Sequence, residues 1–131
     1  MKRYGILNSE IACVLARMGH KDTICVADCG LPIPDSTKRI DLAVTRGNPS
    51  FLCVLDAVRD DMYIEGIALA AEIKEKNPGL LEEIRARFPN TEIEFVSHEQ
   101  LKEATRTCKA VIRTGEVTPF ANIIIRSGVS F

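Results

Sequence analysis

The sequence has no large excess of charge and no long apolar run. Its 17 Lys and Arg residues nearly balance 18 Asp and Glu residues, so it lacks the basic excess typical of polyanion-binding surfaces. No stretch approaches membrane-spanning length, and the first residues, MKRYGILNSE, are not followed by an apolar signal segment with a cleavage site. These absences predict a cytoplasmic protein that binds neither nucleic acid nor a membrane.

The sequence also lacks the motifs of metal and cofactor sites. None of its five cysteines forms a CxxC pair, which favours reduced thiols over a disulfide framework or a zinc site. The GxGxxG, GxxxxGKS/T, HExxH and GxSxG patterns of nucleotide-binding proteins, zinc proteases and serine hydrolases are missing. We therefore expect no metal and no cofactor, and the chemistry that remains is proton transfer on a polar ligand.

Helix and strand patterns alternate along the 131 residues, a length typical of one domain. Ser9 is expected to cap a helix that runs to about Met18, and TICVA after it is typical of a buried strand. The segment from Met62 to Glu75 is ambiguous, and we interpret it as a strand to about Ala70. Three later helices are expected: one capped by Asn48 with Pro49 at its first position, one after Asn77 and Pro78, and one that begins at a capping box of Ser97 and Gln100. Three later strands are expected at TEIEFVS, KAVIRTG and NIIIRSGVSF. The alternation predicts a layered α/β fold in a single domain covering residues 1–131.

Candidate site residues lie where these predicted elements meet. The only two histidines, His20 and His98, are both at such boundaries, and a histidine side chain can exchange a proton near neutral pH. Asp28 follows the predicted strand TICVA, at the end of a strand where α/β proteins build binding sites. Each has a plainer interpretation: His20 can simply follow a helix, and Asp28 can start a turn by bonding its own backbone.

Two further candidates are polar side chains later in the chain. Lys102 lies four residues after His98, so the two can share one helix face, although exposure statistics favour a solvated surface lysine over a sugar contact. Asn122 offers a donor and an acceptor beside the apolar ring of Phe120. Asn122 can instead satisfy nearby backbone groups at the start of a strand.

Four stretches, GILNSEIACVLARMGHKDTICVADCGLPIP, RIDLAVTRGNPSF, SHEQLK and AVIRTGEVTPFANIII, resemble the D-ribose pyranase family, which is related to the fucose mutarotases. The resemblance implies a cofactor-independent isomerase that interconverts the pyranose and furanose forms of D-ribose and supplies ribokinase. It implies a three-layer α/β/α fold with a central mixed sheet, in a homo-oligomer of two stacked pentameric rings with sites near subunit boundaries. Two alternatives are a mutarotase for another sugar such as fucose and a non-catalytic ribose-binding accessory of sugar uptake.

The same resemblance implies roles for individual residues. His20 matches the proton donor, and the sugar-binding positions match Asp28, His98, the segment Phe120, Ala121 and Asn122, and, less closely, Lys102. The family commonly has Tyr where this chain has Phe120, so a hydroxyl that could bond the sugar is missing.

His20 and Asp28 flank one predicted strand. A strand of this length spans roughly 16–20 Å when fully extended, so the two side chains should lie at its opposite ends. We therefore expect His20 of one chain to meet Asp28 and His98 of a neighbouring chain.

Overall fold

The computed structural model describes residues 1–131 as five α-helices, one short 3-10 helix and six strands. In chain order these are α1 (Ser9–Arg17), β1 (Thr23–Ala27), β2 (Arg39–Asp41), α2 (Phe51–Asp60), β3 (Ile64–Ala70), α3 (Ile73–Lys76), α4 (Pro78–Arg87), β4 (Glu92–Val96), α5 (His98–Ala104), the 3-10 helix (Thr105–Thr107), β5 (Val111–Arg113) and β6 (Ile123–Ser127). No helix is both long and apolar enough to cross a membrane.

The six strands form one mixed sheet in the order β2-β5-β1-β6-β3-β4. β6 is antiparallel to both of its neighbours, β1 and β3, and the other pairs are parallel. Five strands therefore point the same way, and their carboxyl ends share one edge of the sheet with the start of β6. We call this the carboxyl edge, where Ala27, Ala70 and Val96 end their strands, and the opposite side, where Thr23 and Ile64 begin theirs, the amino edge.

Helices cover both faces of the sheet. On one face, apolar side chains of α1, α2, α3 and α4 pack on alternate strand residues; this cluster includes Ile11, Phe51, Leu55, Ile73, Ile84, Ile24, Ile67 and Ile125. On the other face, Leu101 of α5 packs with Cys25, Val111 and Ile124. The expected three-layer α/β/α fold with a central mixed sheet is confirmed.

Most predicted elements are present, but two helix starts differ from the expectation. The side chain of Asn8, not Ser9, caps α1 by accepting a hydrogen bond from the Ile11 N–H at 3.0 Å. Ser50 caps α2, because Asn48 is engaged in a tight turn through its backbone contacts with Thr45. Asn, Ser and Pro are all suited to helix starts, so residue type alone does not choose among adjacent positions.

The ambiguous segment is a strand, as interpreted, and it ends at Ala70. The sequence patterns missed β2 and α3, which have only three and four residues. Neither is long enough to show a periodicity.

Candidate active site

Five of the predicted site residues, Asp28, His98, Phe120, Ala121 and Asn122, lie together at the carboxyl edge. Asp28 follows β1, His98 follows β4, and Phe120 and Asn122 precede β6. Because β6 is antiparallel, its start lies at the edge where the parallel strands end. The fold thereby brings together residues that are up to 94 positions apart in the chain.

Asp28 and Asn122 are joined by two hydrogen bonds at the centre of this edge. The Asn122 amide donates to Asp28 Oδ2 at 2.8 Å, and the Asp28 backbone N–H donates to Asn122 Oδ1 at 2.9 Å. The Gly30 N–H also donates to Asp28 Oδ1 at 2.9 Å. Asn122 is fully buried while Asp28 is partly exposed, so Asn122 fixes the carboxylate, whose remaining lone pairs can accept hydrogen bonds from a ligand.

His98 lies at the same edge, and neither of its ring nitrogens has a hydrogen-bond partner. It is the first residue of α5, and its backbone N–H donates to both carboxylate oxygens of Glu72 at 3.1 Å. These bonds lower the pKa of Glu72. His98 Nδ1 is buried and has no hydrogen-bond partner. A buried polar atom without a partner costs stability unless a ligand or water satisfies it, which makes Nδ1 the natural contact for a bound molecule.

Phe120 supplies the apolar part of the site. Its ring meets that of His98 edge to face, with ring centroids 5.1 Å apart and an interplanar angle of 89°. Its φ of 55° lies in the left-handed region, which an aromatic residue rarely adopts, and strained backbone of this kind clusters at functional sites. Ala121, the next residue, is fully buried in the apolar core, and its expected role in sugar binding stays a prediction.

The loop before Phe120 is held by two polar side chains. The Asn77 amide donates to Thr118 Oγ1 and to the Pro119 carbonyl oxygen at 3.1 and 2.9 Å. The Glu116 carboxylate accepts backbone N–H bonds from residues that include Phe51 and Thr118. Burial alone would raise the pKa of Glu116, but these bonds outweigh it and lower the pKa. The site is therefore preorganised before any ligand binds.

An open cavity of about 300 Å³ lies on the Asp28 side of this edge, lined also by Arg46, Glu116 and Thr118 but not by His98, Phe120 or Asn122. Its size and mixed lining suit a small polyhydroxylated molecule, whose hydroxyl groups need donors and acceptors. Sequence reasoning missed Arg46, which lies in a turn without any motif. It also missed Glu72, which could have been found because it closely follows a strand that ends at this edge.

The Lys102 amine makes no hydrogen bond or ion pair with Asp28 or Asn122. The amine pairs with Glu99 one turn earlier on α5, and both residues line a depression beside Pro32 and Pro34. The structure therefore places Lys102 on the site's margin, and its expected role in sugar binding stays a prediction.

His20 lies at the amino edge, away from the five predicted residues at the carboxyl edge. It sits in a turn closed by the Asp22 N–H bond to the Gly19 carbonyl at 3.1 Å, just before β1. Its Nε2 is 2.7 Å from Glu65 Oε2, and 47% of its side chain is exposed. The five residues of β1 separate it from Asp28, which at about 3.3 Å per residue is about 16 Å. The expectation that His20 and Asp28 lie at opposite strand ends is confirmed.

The chain is similar to known proteins along its whole length. A model of the RbsD / FucU transport protein family matches residues 1–130. A D-ribose pyranase of Geobacillus kaustophilus is 60% identical over 131 residues, covering 100% of this chain and 96% of that protein. One of Geobacillus thermodenitrificans is 58% identical, with coverage of 100% and 99%.

Two solved structures share the fold over the whole chain. The structure of Bacillus subtilis RbsD complexed with D-ribose has a TM-score of 0.98 at 46% identity, with 100% of both chains covered. The fucose mutarotase of Streptococcus pneumoniae in complex with L-fucose has a TM-score of 0.83 at 23% identity, again with 100% of both chains covered. The second similarity shows the fold alone.

Proposed function

Because the chain belongs to the RbsD / FucU transport protein family, we propose that it is a D-ribose pyranase. It is a cofactor-independent isomerase that interconverts the pyranose and furanose forms of D-ribose. Residues 1–131 form one sugar pyranase domain. A cytoplasmic location completes the proposal, because the furanose product is expected to pass to ribokinase.

One observation carries the proposal: the polar pair Asp28 and Asn122 lies beside His98 and Phe120, in a chain that matches a D-ribose complex along its whole length. A sugar ring presents hydroxyl groups at its rim and C–H groups on its faces. The paired carboxylate and amide suit the hydroxyl groups, and the Phe120 ring suits the apolar face. The 60% identity to a full-length D-ribose pyranase selects ribose among the sugars that such a pocket could hold.

The reaction needs only proton transfer. Ring opening removes a proton from the anomeric hydroxyl and delivers one to the ring oxygen; a different hydroxyl then attacks the carbonyl after bond rotation, and no atoms are lost. We assign the proton donor to His20. Either Asp28 or His98 can act as the complementary base, and His98 is favoured because both oxygens of Asp28 already accept hydrogen bonds whereas His98 Nδ1 accepts none.

A complete site then requires two chains. A pentose bonded to Asp28 at the carboxyl edge does not extend to His20 at the amino edge of the same chain, about 16 Å away along the strand. His20 of one protomer therefore completes the site of a neighbour. A homo-oligomer of two stacked pentameric rings, with sites near the subunit boundaries, would supply this arrangement repeatedly.

The test is NMR magnetisation exchange between sugar ring forms, comparing ribose, fucose, galactose and glucose. We expect acceleration over buffer for ribose above the other sugars, and loss of that acceleration in His20→Ala. Faster exchange of fucose than of ribose would instead identify a mutarotase for another sugar. Binding of ribose without accelerated exchange would identify a non-catalytic binding protein, and wild-type exchange in His20→Ala would refute the role of His20.

A further inference from the structure

Glu65 occupies an irregular position in β3. Ile64 pairs with Ser127, and Gly66 pairs with Arg126. Two residues along β3 therefore correspond to one residue along β6, which makes Glu65 the extra residue of a β-bulge. In a regular strand Glu65 would point to the face opposite Gly66. Because of the extra residue, the Ile64 side chain packs on the apolar core face instead, and the Glu65 side chain does not point into the core. Bulges of this kind redirect a side chain and are common next to active sites.

The redirected Glu65 carboxylate joins His20 to Arg126. Oε2 lies 2.7 Å from His20 Nε2, and Oε1 accepts a hydrogen bond from Arg126 Nε at 3.0 Å. Arg126 also reaches Glu92 through Nη2 at a longer 3.4 Å. The guanidinium lies over Gly66, where a Cβ atom would come within 2.5 Å of Nη2. Each carboxylate oxygen of Glu65 thus has its own partner, and Gly66 leaves the space that Arg126 needs.

We propose that Glu65, held by Arg126 and aimed by the bulge in β3, is a positioning residue that fixes the orientation and tautomer of His20. This inference rests on the proposed function, in which His20 is the proton donor. Nothing in the sequence patterns around Glu65 indicates this role, because it depends on a bulge and on a partner 45 positions away.

The chemistry of the contact determines which ring nitrogen is free. The hydrogen bond from His20, assisted by the charge of Arg126, outweighs the effect of burial and lowers the pKa of Glu65, so the carboxylate is ionised near neutral pH. An ionised carboxylate only accepts hydrogen bonds, so His20 Nε2 must carry the proton in this contact. Nδ1 is then the nitrogen left for the sugar of the neighbouring chain. It donates from a ring that carries a proton on both nitrogens, and the Nε2–H tautomer remains after the Nδ1 proton has moved to the sugar. In Ser-His-Asp sites, too, a carboxylate hydrogen-bonds one ring nitrogen of the histidine, and the other ring nitrogen exchanges the proton in the reaction.

Glu65→Gln gives a directional test. Arg126 can only donate, so the oxygen of the introduced amide should turn to Arg126 and the amide NH₂ group should face His20 Nε2. Nε2 must then accept, and the proton should move to Nδ1. Because the chain has only two histidines, ¹⁵N-histidine labelling of the intact protein reports both rings, with His98→Gln used to assign them.

We expect the Nε2–H tautomer of His20 in the wild type and the Nδ1–H tautomer in Glu65→Gln. The kcat for ribose exchange should fall at least about tenfold with little change in KM, because a ring that has given its Nδ1 proton to the sugar keeps Nε2–H, and the introduced amide NH₂ group cannot accept that hydrogen bond. Glu92→Gln is the matched control: it removes another carboxylate beside Arg126 but leaves His20 untouched, so tautomer and kcat should match the wild type. Urea midpoints of the variants check that each is folded.

An unchanged His20 tautomer in Glu65→Gln would overturn the proposal, and so would a switched tautomer with wild-type kcat. An equal loss of kcat in Glu92→Gln would also count against it, since the loss would then follow the charge around Arg126. The tautomer is measured without ribose. Absence of ribose exchange in the wild type would therefore refute the proposed function, whereas an unchanged tautomer refutes the role of Glu65.

Discussion

Two inactive variants should restore each other if the site is shared between chains. His20→Ala removes the residue at the amino edge, and Asp28→Asn alters the carboxylate at the carboxyl edge. Each variant alone should lose ribose exchange at least about tenfold, because every site in its oligomer lacks one group. A mixed oligomer contains some sites in which an intact His20 faces an intact Asp28.

The size of the recovery follows from the geometry. In a mixed oligomer with equal amounts of the two chains, each site draws its His20 and its Asp28 from different protomers. Each of these residues is intact with a chance of about one half, so about one quarter of the sites are complete. Co-expression with two different affinity tags and sequential purification isolates the mixed oligomers, and NMR magnetisation exchange with ribose measures their activity. We expect about a quarter of the wild-type rate per chain.

A site formed within one chain gives a different result. Every chain would then carry one defect, and the mixed oligomer would be no more active than the average of the separate variants. That outcome would refute the shared site, and with it the distance argument along β1. Co-assembly of His20→Ala with His20→Gln is the matched control, because both chains lack the same group and no site can be restored.

Three further predictions concern the carboxyl edge and the stability of the fold. Phe120→Tyr should keep kcat within about twofold, because the ring contact with His98 remains, and lower KM about fivefold through one added hydrogen bond; an unchanged KM would show that the position contacts sugar only through its ring and backbone. Gly115→Ala should lower the free energy of unfolding by about 1–3 kcal/mol in urea titrations, because its Cβ would lie 2.5 Å from a backbone oxygen of the turn that packs against it; wild-type stability would show that the turn moves freely. The hydrogen bond from Arg87 lowers the pKa of Asp56, so its stabilising effect is complete above the unfolded pKa of about 4 and is lost as pH falls through the lower folded pKa. Asp56→Asn should therefore have a lower urea midpoint than the wild type at pH 7, with the difference shrinking below about pH 4; a constant difference would contradict this account.

Local patterns predicted the elements that carry long apolar periodicities or strong caps. β1 coincides with the apolar segment TICVA, and Ser97 with Gln100 forms the expected capping box at the start of α5. These features depend on neighbouring residues, so the information is contained in a short stretch of chain. β2 was missed because it is held by pairing with β5 rather than by a pattern of its own.

The residues of the candidate site could be predicted from the sequence, but the hydrogen bonds between them could not. Asp28 could be selected because it follows a strand and His98 because it is a histidine at an element boundary, while Asn122 and Phe120 were selected by side-chain chemistry and by the family resemblance. The bonds between Asp28 and Asn122 could not be predicted, because they join residues 94 positions apart through the antiparallel placement of β6. The partnerless Nδ1 of His98 likewise depends on what surrounds the ring.

The sequence by itself determined the order of the longer helices and strands, the family, and the separation of His20 from Asp28 by one strand. That separation is a property of local geometry, because an extended chain advances a known distance per residue. Only the tertiary structure decided which residues share the edge with Asp28, and which carboxylate holds His20. Those partnerships depend on strand order and on the bulge at Glu65, which arise from packing among distant segments and leave no periodic pattern in the sequence.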